Sequence, residues 1–221
     1  MKLTAIIGSP HGMKGNTGQL LRALIAEAEK AGASTTLFSL HETLVKPCVA
    51  CDTCHKVGTC NTKDDFAKVK TAMLDADGII LASPNYMMSV SAQMKCLMDR
   101  CASPLHVQAF QGKYGAAVVT SGGPGGEEVE AYMLRWLRNM GCWTVGSVGA
   151  DGAQMMKKDA REARLKAAGA LGRALVDAIR EKRRFPEQEA ARGAFMERME
   201  HLVEARKLDW PFEYEYWQAH T

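Results

Sequence analysis

Four of the seven cysteines, Cys48, Cys51, Cys54 and Cys60, fall within the thirteen-residue run CVACDTCHKVGTC. Their spacing is C-x2-C-x2-C-x5-C. Three cysteines at intervals of three, with a fourth nearby, can wrap around a cubane so that all four thiolates point inward. Ligation of an iron–sulfur cluster by four cysteines of one compact run is established chemistry. Zinc also accepts four thiolates, in tetrahedral geometry, but usually from two separated pairs. The continuous triple fits iron–sulfur better, and a cluster-free loop with free or structural thiols is the third alternative. Gly58, just before Cys60, allows a tight turn there. The remaining cysteines read differently. Cys96 and Cys101 fall in a helical stretch and Cys142 begins a strand. Free cysteine is among the most buried residue types, so all three are expected in the core. Asp99 and Arg100 are expected to form a structural salt bridge with no catalytic role.

Three loops carry a second kind of chemistry. GSPHGMKGNT follows the first apolar run. Ser9, Asn16 and Thr17 offer side-chain donors, Gly12 and Gly15 allow backbone N–H groups close to a ligand, and the helix beginning beyond them adds positive partial charge. That combination suits a phosphate, although an ordinary strand–helix turn has the same composition. The dinucleotide fingerprint GxGxxG and the nucleoside-triphosphate loop GxxxxGK[ST] are both missing from this loop. SPNYMMSV supplies a rigid Pro84, the amide of Asn85, the flat face of Tyr86 and the soft, apolar Met87 and Met88, a mixture suited to a planar ring. TSGGPGG has four glycines in five residues, so its backbone can approach that ring and donate N–H groups.

The elements that must position these loops are legible as alternating apolar runs and helical patterns. Strands are expected at 3–8, 35–40, 78–83, 114–121 and 142–149. Helices are expected after the first loop to Gly32 and at 64–76, 91–103, 127–140 and 157–183, and 187–206 can form one more. Asp64 and Asp65 stand at the positive end of their helix. Five apolar strands alternating with helices imply an α/β fold with a parallel sheet covered on both faces. The flavodoxin-like order 2-1-3-4-5 places the ends of strands one, three and four side by side, so the three loops converge there.

The combination G8-S-P with N16-T17, then S83-P-N-Y-M, then S91-A-Q-M-K-C-L-M-D-R100, resembles the NADPH-dependent FMN reductases of flavodoxin-like fold, over roughly residues 1–180. The resemblance implies FMN, its phosphate bound by Ser9, His11, Asn16 and Thr17. It places the isoalloxazine ring against Pro84, Asn85, Tyr86 and Met87 and against Ser121, Gly122 and Gly123. The cysteine motif after strand two is similar to that of the iron–sulfur flavoproteins, a branch of the same group. That resemblance implies a [4Fe–4S] cluster on Cys48, Cys51, Cys54 and Cys60, and dimers or tetramers in which cluster and flavin exchange electrons.

The resulting expectation is an FMN-dependent oxidoreductase with no catalytic side chain. It moves electrons between a reduced donor, ferredoxin or NAD(P)H, and an acceptor. The alternatives are a cluster-free NAD(P)H-dependent FMN or quinone reductase and a non-enzymatic flavin carrier. Residues 1–184 form the flavin-binding domain, and 185–221 a helical, aromatic extension whose tail either meets a partner or folds over its own chain. A homodimer or homotetramer is expected to cover the exposed flavin face. Net charge is +3, and the 14 basic residues of 157–207 interleave with 9 acids, which argues against nucleic acid. The N-terminus lacks a signal-peptide pattern and no apolar run is long enough for a membrane helix. The expected setting is therefore cytoplasmic, where an odd number of cysteines stays reduced.

Overall fold

Short runs rich in β-branched and apolar residues form strands β1 (Lys2–Ile7), β2 (Ser34–Ser39), β3 (Gly78–Pro84), β4 (Tyr114–Ser121) and β5 (Trp143–Asp151). The structure is a computed structural model that describes residues 1–220. All neighbouring strands are parallel, in the order β2-β1-β3-β4-β5. One register row crosses the sheet through Phe38, Ile6, Leu81 and Ala117. Every residue of the central strand β3 is buried, which is why it reads as a continuous apolar run rather than an alternating one.

The helices are α1 (Asn16–Lys30), α2 (Thr53–Val57), α3 (Phe66–Asp75), α4 (Ala92–Asp99), α5 (Ala102–His106), α6 (Gly126–Asn139), α7 (Gly152–Met156), α8 (Lys158–Arg180), α9 (Pro186–Ala205) and α10 (Pro211–His220). Leu20, Leu21 and Leu24 of α1 and Leu175 and Val176 of α8 pack with Leu3, Ala5, Ile7 and Ile80 on one face of the sheet. Val69 and Met73 of α3, Met94 and Leu97 of α4 and Met133 and Leu137 of α6 pack with Ile6, Ile79 and Leu81 on the other. Each fully buried Leu, Ile or Met contributes about 1.5–3 kcal/mol of transfer free energy. The flavodoxin-like three-layer sandwich expected from the alternation is therefore present. Among the described residues no helix is long and apolar enough to cross a membrane.

The departures are local. The helix expected over 91–103 is two helices, with Cys101 between them. Pro104 explains the break: it has no N–H to return to Arg100, and its ring crowds that carbonyl. The cysteine run is largely loop but contains the single turn α2. Asp99 and Arg100 do not pair with each other. Consecutive helical residues point in different directions, so Asp99 accepts from Lys95 Nζ at 2.5 Å and Arg100 reaches Asp64. Cys101 and Cys142 are buried as expected, whereas Cys96 is half-buried at the edge of the core. The aromatic tail is the helix α10, folded back over its own chain, with Glu213 and Trp217 buried.

Candidate functional site

The three loops meet at the carboxyl ends of β1, β3 and β4. Gly8 N–H donates to Ala82 O at 2.8 Å and Asn85 N–H to Thr120 O at 2.7 Å, extending the parallel ladder into all three. In the first loop Ser9 is buried, and its Oγ accepts from the His11 N–H at 3.2 Å while His11 itself is exposed. Gly12, at φ +52°, turns the chain into a single 3-10 turn. Helix α1 starts without a side-chain cap, and its first helical bond runs from the Gln19 N–H to Gly15 O. The N–H groups of Asn16, Thr17 and Gly18 precede that bond, the arrangement by which helix starts can bind anions. The Thr17 hydroxyl is buried against Thr120 Oγ1 at 2.5 Å, so Thr17 offers its backbone rather than its side chain.

In the second loop Tyr86 and Ser89 close a tight turn by two reciprocal backbone hydrogen bonds of 2.8 and 3.0 Å. Met87 and Met88 occupy its corner at φ +48° and +62°. Positive φ at two successive non-glycine residues costs of order 1–3 kcal/mol each and gathers at functional sites. The turn holds Met87 97% exposed and Met88 64% exposed. Pro84 ends β3 and is buried. Asn85 Nδ2 donates to Ser121 Oγ at 3.2 Å, which leaves Oδ1, buried, with no partner. In the third loop Gly125 approaches Met88 and Asn85 closely, and side chains at Gly122 or Gly123 would project into open space. A ring ligand with an N–H edge fits this rim, which offers one orphaned buried acceptor at Asn85 and an apolar Met–Tyr flank. A cavity of about 560 Å³ opens beside the third loop and is lined by α6 and the end of β5, with no residue of the first loop in its wall. Its lining shares Ser121 and Gly123 with the rim and also includes Glu130 and Arg164.

Cys48, Cys51, Cys54 and Cys60 line one small cleft with His55, Asp99 and Arg100. Ala50 and Asp52, at φ +50° and +56°, alternate with the cysteines and turn the chain back on itself. Cys48 Sγ accepts from the Ala50 N–H at 3.4 Å, and Cys51 Sγ pairs with Thr53 Oγ1 at 3.3 Å. That hydrogen bonding from Thr53 lowers the Cys51 thiol below its ordinary value. Gly58, at φ +76°, ends α2 against the ring of Phe212, where a Cβ would collide.

Around the cleft stand two charged assemblies. The Arg100 guanidinium gives Nη1 to Asp64 Oδ2 at 2.7 Å and Nη2 to Oδ1 at 3.3 Å, with Nη1 also donating to Lys46 O. Burial works against both charges, yet hydrogen bonding from Arg100 and from the Lys46 and Phe66 N–H groups holds Asp64 below the usual carboxylate range. On the other side Glu213, fully buried, accepts from His55 Nδ1 at 2.5 Å and from His106 Nδ1 at 3.0 Å. Trp210 stacks on both imidazoles, with ring centroids 4.7 and 5.0 Å away. Burial opposes a charge on His55, but hydrogen bonds to Cys54 and Glu213 outweigh it and push its pKa up to about 10.

A family model described as NADPH-dependent FMN reductase matches residues 1–154. The chain belongs to the NADPH-dependent FMN reductase family. It is accordingly an FMN-dependent oxidoreductase. An iron-sulfur flavoprotein of Archaeoglobus fulgidus is 34% identical over 186 residues, which cover 84% of this chain and 83% of that protein. An iron-sulfur flavoprotein of Methanosarcina thermophila is 35% identical over 66% of this chain and 78% of its own length. A solved NAD(P)H:quinone oxidoreductase from Methanothermobacter marburgensis superposes with a TM-score of 0.64 at 16% identity, over 79% of this chain and 96% of that one. A flavodoxin from the domain Archaea superposes with a TM-score of 0.55 at 17% identity, over 81% of this chain and 99% of that one. At such identities the structures share the fold.

Within this FMN reductase chain, the sequence-expected residues fall into two groups: the three-loop rim at the ends of β1, β3 and β4, and the four-thiol cleft beyond β2. Sequence reasoning missed His55, His106, Glu213 and the Asp64–Arg100 pair. The partners lie 158, 107 and 36 residues apart, so no local spacing could announce them.

Proposed function

We propose that the rim binds FMN, with its phosphate at Ser9, His11, Asn16 and Thr17 and its ring between Pro84, Asn85, Tyr86 and Met87 on one side and Ser121, Gly122 and Gly123 on the other. The cleft formed by Cys48, Cys51, Cys54 and Cys60 holds a [4Fe–4S] cluster. The protein moves electrons between ferredoxin or NAD(P)H and an acceptor. FMN supplies exchange of a hydride or an electron pair and its release as single electrons, and the cluster supplies single-electron transfer.

The chain's own residues position and shield. Uncapped N–H groups of α1 take the phosphate charge, the free Asn85 Oδ1 accepts from the ring edge, and backbone N–H groups of the glycine loop face charge that develops on reduction. The observation that carries the two-centre reading is helix α4. At its start Ser91 Oγ donates to Gly8 O at 2.5 Å, within the first flavin loop. At its end Arg100 stands in the cysteine cleft. The helix rise places the two ends roughly 13 Å apart, so both sites belong to one rigid unit. Zinc fits less well. A tetrahedral zinc at about 2.3 Å from each sulfur needs thiolates about 3.8 Å apart. Among the described residues the side chains gathered tightly enough for one ion are His55, His106 and Glu213. The exposed Tyr86–Met88 corner supports a homodimer or homotetramer in which a second copy covers the ring.

Anaerobic purification with iron, acid-labile sulfide and flavin analysis tests the reading. One FMN with four irons and four sulfides per chain is expected, with the iron lost in Cys54→Ser while FMN stays. Bound FMN without iron, and NAD(P)H turnover unchanged in Cys54→Ser, would establish the cluster-free reductase instead. Protein that takes up no FMN at micromolar concentration ends both.

A further inference from the structure

Three side chains that neither the flavin rim nor the four thiols use converge beneath α10. His55 comes from α2, His106 from α5 and Glu213 from α10. One nitrogen of each imidazole and one Glu213 oxygen all lie within 4.8 Å of one another. Glu213 divides its carboxylate between the rings, with Oε1 at 2.5 Å from His55 Nδ1 and Oε2 at 3.0 Å from His106 Nδ1. The Glu213 side chain is 0% exposed, and those of His55 and His106 are 8% and 15% exposed.

Two imidazoles and a carboxylate are a donor set for a divalent ion of the zinc class, with a fourth position left open. Bonds of about 2.0–2.1 Å to a tetrahedral ion put its ligand atoms roughly 3.3 Å apart. The three side chains are already gathered around that spacing, so small side-chain adjustments bring them to one ion. Trp210 stacks on both imidazoles, whose planes differ by 22°, and holds the two rings in place. Trp210 Nε1 is itself buried without a hydrogen-bond partner, so the assembly has a donor to spare. His55 turns its other nitrogen, Nε2, toward Asp52 Oδ1, 4.0 Å away. A metal-bound histidine commonly has a carboxylate on that side. A carboxylate taken out of water is costly without positive charge beside it. A divalent ion supplies that charge and takes the place of hydrogen on the Nδ1 atoms.

We propose that His55, His106 and Glu213 bind a divalent metal ion of the zinc class, at a site separate from the four thiols, and that the ion pins α10 to α2 and α5. The site depends on neither the FMN nor the cluster assignment. Its ligands come from three helices far apart in sequence, so it exists only in the folded chain, and the ion stabilises the docked C-terminal helix.

Zinc is the probe. Full-length protein is equilibrated with micromolar zinc, desalted and analysed for zinc, iron and sulfide. Cys51→Ser with Cys54→Ser removes the four-thiol site. In that background Glu213→Gln keeps the shape and a hydrogen-bonding group but loses the charged ligand, and His106→Gln loses one imidazole. The cysteine variant is expected to retain one zinc per chain, with imidazole nitrogen and oxygen but no sulfur around it by X-ray absorption spectroscopy. Zinc is also expected to raise its thermal midpoint. Either further substitution should weaken zinc binding by more than about tenfold, the effect that loss of even an outer-shell partner can have, and abolish the thermal shift. A cysteine variant that takes up no zinc overturns the proposal. Sulfur beside the zinc overturns it too, as does zinc held with equal affinity after both further substitutions. If Glu213→Gln does not fold, His106→Gln decides. If the cysteine variant does not fold, both substitutions are made in the wild-type chain, where loss of one zinc equivalent supports the site and no loss overturns it.

Discussion

Cys101 and Cys142 sit in the core, where burial pushes each thiol up to about 12. At pH 8 both remain protonated and inaccessible, whereas Cys48 and Cys51 are exposed. Iodoacetamide at that pH is expected to modify Cys48 and Cys51 of metal-free native protein within minutes. Cys101 and Cys142 should react only after denaturation, as peptide mass mapping would show. Rapid native alkylation of Cys142 would refute the core placement. What the residues disclosed in advance follows the same division. The four clustered cysteines are legible because their chemistry is local, fixed by short spacings along one loop. Arg100 and Glu213 are not, because a charge buried in a contact 36 or 158 residues away looks, in sequence, like any charge on a solvated helix. Thr17 shows the reverse case: a plausible phosphate-binding hydroxyl that folding turns toward Thr120.

At the scale of elements, the strands were readable because a sheet covered on both faces demands uninterrupted apolar runs, and GIILAS meets that demand over 78–83. Ends and breaks were less readable. The split between α4 and α5 depends on one proline whose effect falls a full turn upstream. Helix contacts were not readable at all, and two glycines show why. Gly172 of α8 lies so close to α1 that a Cβ would overlap the Leu24 carbonyl, whereas a Cβ at Gly193 of α9 would meet nothing within 4 Å. Both are helical glycines, where alanine is intrinsically better by about 1 kcal/mol. Gly193→Ala is therefore expected to stabilise by roughly 0.5–1 kcal/mol, and Gly172→Ala to destabilise by about 1–3 kcal/mol. Urea unfolding of the two variants checks the opposite signs, and a stabilised Gly172→Ala would mean that α1 and α8 are not in backbone contact.

For the molecule as a whole, α10 stands apart from the sheet and its three loops yet covers α2. Trp217 Nε1 donates to His106 O at 3.1 Å, and with Trp210 and Glu213 it encloses both histidines. A chain shortened to end at Leu208 keeps every residue of the flavin rim and loses that cover. Flavin content is expected to stay near that of full-length protein, while iron per chain, measured after anaerobic purification, falls by more than half. Undiminished iron would show that the cleft is closed by α2 and its loop alone.

Because His55 and Glu213 are separated by 158 positions, the ribosome makes them at very different moments. At about 5–20 residues per second, roughly 8 to 30 seconds pass between the two. During that interval the nascent cysteine loop has its thiols but not the helix that later seats its histidines. Burial of His55 and His106 beneath Trp210 and Glu213 therefore waits for α10, long after the cysteine loop itself has been made.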